Sequence, residues 1–64
     1  MTEYEKLFKK FGLVNQQVGE NEKGEWVIVT INKEFAMVTT SQKNGWLRHN
    51  VYWKDGTEEE SYNK

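Results

Sequence analysis

Residues 26–53 read WVIVTINKEFAMVTTSQKNGWLRHNVYW. Trp26 to Ile31 is β-branched and apolar on both faces, the composition of a strand. Asn32-Lys33 makes a tight reversal into a second strand, Phe35 to Thr40. Gln42-Lys43-Asn44-Gly45 makes the next loop, with Gly45 free to take a positive φ. Trp46 to Trp53 is the third strand of the run. Three consecutive strands joined by short turns predict an antiparallel meander.

Beyond Trp53, Lys54-Asp55-Gly56 is a further hairpin signal, leading to a polar, acidic strand from Thr57 to Tyr62. On the N-terminal side, Gly19 to Gly24 is a charged loop, and Leu13 to Val18 is a weak, polar strand suited to a sheet edge. Before it, Thr2 and Glu5 have the spacing of a capping box. Tyr4, Leu7, Phe8 and Phe11 then recur at helical intervals as one apolar stripe, and Gly12 suits a helix C-cap. The reading is one α+β domain over residues 1–64. A helix at 2–12 packs on an antiparallel meander of four to five strands at 13–62, either open or curled into a small barrel.

Facing residues of a hairpin share a sheet face. A two-residue turn at Asn32-Lys33 sets Val29 against Ala36 and Val27 against Val38. A loop of Gln42 to Gly45 sets Thr40 against Leu47 and Ala36 against Val51. One face then gathers Val27, Val29, Ile31, Ala36, Val38, Leu47 and Val51, which match the helix residues Leu7, Phe8 and Phe11 as a core. His49 falls on this face near its margin, where a neutral, hydrogen-bonded imidazole is the expectation. The other face gathers Trp26, Ile28, Thr30, Phe35, Met37, Trp46, Arg48, Asn50 and Tyr52. One helix cannot cover both faces, and a slip of one residue in either hairpin exchanges them.

Composition bounds the rest. The chain has 64 residues with 9 Lys and Arg against 10 Asp and Glu, a net charge of −1, and 14% aromatic residues. That near-neutral balance argues against strong sequence-independent binding to duplex phosphates. Leu, Ile, Val and Phe make just over a fifth of the chain, just above the disordered range. Such a small core leaves little stability to spare, which gives weight to self-association or a partner. With no Cys there is neither a disulfide framework nor a thiolate metal site. No apolar run approaches ~18 residues and no apolar leader precedes the helix, so no membrane span is expected and a cytoplasmic location is.

The chemistry available is thin. His49 is the one His, Asp55 the one Asp, and Ser41 and Ser61 the two Ser, so no nucleophile, base and orienting group converge. No enzyme activity, cofactor, metal site or small-molecule substrate is expected. Glu58, Glu59 and Glu60 alternate across a strand and read as a solvated edge that resists aggregation. Lys43, Trp46, Arg48, Tyr52, Trp53 and Lys54 interleave basic and aromatic side chains, which suggests a single-stranded nucleic-acid module on the Trp46–Lys54 hairpin. The preferred reading is a small non-enzymatic binding protein. It meets a protein partner or another copy of itself through Trp26, Phe35, Met37, Trp46, Arg48 and Tyr52, since Trp, Tyr and Arg dominate interface energetics. A third reading has Leu13–Val18 or Thr57–Tyr62 add an edge strand to a neighbour's sheet. In composition the chain resembles the short, cysteine-free, Lys/Glu/Asn-rich open reading frames of phages and prophages of Gram-positive bacteria. That resemblance implies binding to host or phage macromolecules and transfers no site.

Overall fold

A computed structural model describes residues Met1–Lys64. The elements run α1 (Glu3–Phe11), β1 (Val14–Glu20), β2 (Trp26–Ile31), β3 (Phe35–Ser41), β4 (Leu47–Trp53) and β5 (Glu58–Asn63). Each strand pairs antiparallel with the next, in the order β1-β2-β3-β4-β5. The sheet is not closed, so the α+β architecture takes the open form with β1 and β5 as edges. β1 carries a bulge between Val14 and Gln17, a common way to bend an edge strand away from pairing.

α1 forms because both of its ends are satisfied. The Thr2 hydroxyl accepts the Glu5 N–H at 3.1 Å, and the Glu5 carboxylate accepts the Thr2 N–H at 3.4 Å. Glu3 and Glu5 in the first turn and Lys9 and Lys10 in the last complement the helix dipole. Gly12 ends the helix at φ 73°, where its N–H reaches the Phe8 carbonyl at 2.7 Å. Nine residues are too few to hold a helix alone, so tertiary docking holds it. Tyr4 supplies the anchor: its ring is buried, and its hydroxyl donates to the Asn32 carbonyl at 2.6 Å.

The core lies between α1 and one face of the sheet. Tyr4, Val29, Ile31 and Ala36 are buried there, with Leu7, Phe11, Val14, Val27, Val38 and Tyr52 packed around them. Phe8 is a correction to the expected helix stripe, because it stands 40% exposed beside the core. The accessible surface is 4747 Å², against about 4,300 Å² for a monomer of this mass. The excess reflects a sheet covered on one side.

The β2–β3 turn closes between Asn32 and Phe35, not between Ile31 and Glu34. Asn32 N–H donates to the Phe35 carbonyl at 3.0 Å, while the Asn32 side-chain oxygen accepts the Glu34 and Phe35 N–H groups. Ile31 therefore pairs with Ala36 and Val29 with Val38. This is a slip of two residues from the expected register, so every side chain keeps its face.

The β3–β4 loop slips by one, and that exchanges the faces of β4. Gln42 N–H donates to the Trp46 carbonyl at 2.7 Å, and Gly45 N–H donates to the Gln42 carbonyl at 3.1 Å. Gly45 sits at φ 86°. This is a turn followed by a glycine bulge, so three residues rather than four lie in the loop. The Asn21–Glu25 and Trp53–Thr57 loops close by the same bond pattern. Ala36 thus pairs with Tyr52, Val38 with Asn50 and Thr40 with Arg48. Leu47, His49 and Val51 leave the helix side, contrary to expectation, and join the opposite face.

Candidate functional site

The sheet face opposite α1 has no element packed on it. Strand alternation places Trp26, Ile28 and Thr30 of β2, Phe35, Met37 and Thr39 of β3, and Leu47, His49, Val51 and Trp53 of β4 on this side. Most of these residues are nonetheless half-buried. Thr39 is buried, Ile28, Met37 and Val51 are half-buried, and Trp26 is 59% exposed. At one end the Phe35 and Trp53 rings meet edge to face, with centroids 5.1 Å apart.

His49 lies in the middle of this face and links three strands. Its Nδ1 lies 2.9 Å from the Thr39 hydroxyl on β3, and its Nε2 meets the Asn63 side-chain oxygen on β5. With that oxygen as acceptor, Nε2 is the donor of this bond. The imidazole is hydrogen-bonded, as expected, but on the open face rather than the core face. No carboxylate orients it. Asp55 is engaged in its own turn, where the Thr57 N–H bonds at 2.9 Å and holds its carboxyl below the usual range. Ser41 bonds the Trp26 backbone. No group of three or more His, Asp or Glu side chains is placed to hold a metal ion.

The six residues expected to form one contact surface divide between two. Trp26, Phe35 and Met37 share the open face. Arg48 and Tyr52 lie on the helix side, opposite Thr40 and Ala36. Trp46 stands between the β3–β4 loop and β4, with the Lys64 ammonium 5.4 Å from its ring centroid. The Arg48 Nε is buried without a hydrogen-bond partner. Burial raises the Tyr52 phenol above its ordinary value of 10.0, and the charges of Glu3 and Glu58 add to the rise. The residues that complete the open face are Leu47, Val51 and Trp53. The glycine bulge at Gly45 is the signal that would have placed them there.

The basic and aromatic residues of the Trp46–Lys54 hairpin are dispersed as well. Lys43 and Lys54 stand in the loops at opposite ends of β4, Tyr52 faces α1, and Trp53 faces away. Glu58 and Glu60 flank Tyr52 and Asn50 on the neighbouring strand. No helix is long and apolar enough to cross a membrane. No family model, curated protein or solved structure matches the chain.

Proposed function

We propose that the protein is a non-enzymatic binding protein whose contact surface is the sheet face opposite α1, and that its occupant is a second copy packed face to face. The observation that carries this reading is the lack of any covering element over a face that holds Trp26, Ile28, Phe35, Met37, Val51 and Trp53. Apolar patches of this kind on small monomers mark interaction sites.

A second copy suits the face because its centre, Ile28, Met37, Thr39, His49 and Val51, carries no fixed charge for a charged partner to recognise, and its two carboxylates, Glu20 and Glu59, stand on the edge strands. An equal apolar face complements it, and a two-fold pairing closes on itself. Five strands about 4.8 Å apart and about 20 Å long give a face on the order of 500 Å² per copy. The pair then buries about 1,000 Å², at the low end for a specific complex, so the dimer is weak and concentration-dependent. The dispersal of Lys43, Arg48, Tyr52 and Lys54 gives a single-stranded nucleic-acid role less support.

Sedimentation equilibrium over a range of concentrations tests the proposal, with Trp26→Lys as the variant. The wild type should dimerise with little dependence on salt. The variant should stay monomeric with an unchanged circular dichroism spectrum. A wild type that stays monomeric at about 1 mM, the limit for a weak specific contact, overturns the reading.

A further inference from the structure

On the α1 side of the sheet, a groove of about 700 Å³ opens between the helix and the ends of two hairpins. Tyr4, Phe8 and Leu13 form its apolar floor. Phe8 and Leu13 are 40% and 57% exposed, so apolar surface is left open to water here. The floor is braced, because the Tyr4 ring packs 5.8 Å from Phe8 and its hydroxyl is tied to Asn32.

Three lysines line this groove: Lys9 from α1, Lys33 from the β2–β3 turn and Lys54 from the β4–β5 turn. The two turns are joined by the Lys54 N–H, which donates to the Glu34 carbonyl at 2.9 Å. None of the three lysines has a carboxylate within 4.0 Å, since the chain's single salt bridge joins Lys6 to Glu3. The one carboxylate lining the groove, Glu5, is already held by the helix cap. The groove thus offers net positive charge around an apolar patch, with its cations unpaired.

We propose that this groove docks an acidic segment of another protein, with an aromatic or aliphatic side chain on Phe8 and Leu13 and carboxylates paired with Lys33, Lys54 and Lys9. A nucleic-acid strand fits less well, because Phe8 is the one free ring and successive bases need successive stacking surfaces. A lipid surface would meet Glu3 and Glu5 on the same helix and a chain of net charge −1. The groove and the open face lie on opposite sides of the sheet, so this inference does not rest on the self-association reading.

A fluorescently labelled random copolymer of glutamate and tyrosine is the probe, followed by anisotropy at low salt. The copolymer should bind. Polyglutamate, which lacks the anchor, should bind at least about ten-fold more weakly, as should the Lys33→Glu/Lys54→Glu and Phe8→Ser variants. Circular dichroism confirms that each variant is folded, and the turn lysines are exposed enough for that charge reversal to leave the fold intact. No binding by wild type, equal binding by the charge-reversed variant, or displacement by oligo(dT) at lower concentration overturns the proposal. So does a wild-type dimer that only the lysine variant dissolves, which would make the occupant the acidic β5 of a second copy.

Discussion

Ala36 lies directly across the β3–β4 ladder from Tyr52. That pairing sends the Tyr52 ring towards α1, where it joins the core, and sends Val51 to the open face. Had the loop held one more residue, Val51 would have faced Ala36 and the two sides of β4 would have been exchanged. The position of Gly45 therefore decides which residues are core and which are surface.

Gly45→Val tests this directly. A β-branched side chain at φ 86° is strained, at a cost of about 1–2 kcal/mol, and the bulge loses its preferred residue. Urea denaturation should show that loss of stability. Beyond its chain neighbours, no atom lies within 4 Å of a Cβ added at Gly45, so the part of the loss already present in Gly45→Ala reports backbone strain and not crowding.

The general layout was legible because it rests on local signals. The Thr2/Glu5 box and Gly12 mark α1, and the runs at Trp26–Ile31 and Phe35–Ser41 declare strands by composition alone. Face assignment was not, because it depends on counting residues in a loop. At Asn32 the miscount was even and cost nothing; at Gly45 it was odd and moved Arg48, His49, Val51 and Tyr52 across the sheet. Phe8 fits the helical period as well as Leu7 does. Its exposure is set by how α1 sits on the sheet, which the helical period does not record.

Tyr4→Phe should destabilise the protein by about 1–2 kcal/mol, because it removes the hydroxyl that satisfies the Asn32 carbonyl. The loss should be concentrated in α1. Amide exchange along Lys6 to Phe11 should accelerate more than exchange in β2 and β3.

Alkaline pH should unfold the protein through Tyr52. Its folded-state value lies above the ordinary 10.0, chiefly from burial and then from Glu3 and Glu58. A raised value means that the neutral phenol is favoured in the folded state. Its contribution is thus fully present below about pH 10 and is lost as pH rises through the folded value. Absorbance of tyrosinate and far-ultraviolet circular dichroism, recorded together, should change in step. Tyr52→Phe should retain its structure to higher pH.

Asn63→Ala should loosen β5. It removes the acceptor for His49 Nε2, the side-chain link from β4 to this edge strand, at a cost of about 1 kcal/mol. Amides of Glu58 to Tyr62 should exchange faster, while α1 keeps its protection.

Face-to-face pairing of two copies is read most directly by an isotope-filtered nuclear Overhauser experiment on an equal mixture of labelled and unlabelled protein. If a second copy covers the open face, the Met37 and Val51 methyl groups should show contacts with the Trp26 indole of the other copy. A sample with no contacts between copies, its Trp26 ring still exposed at millimolar concentration, would contradict it.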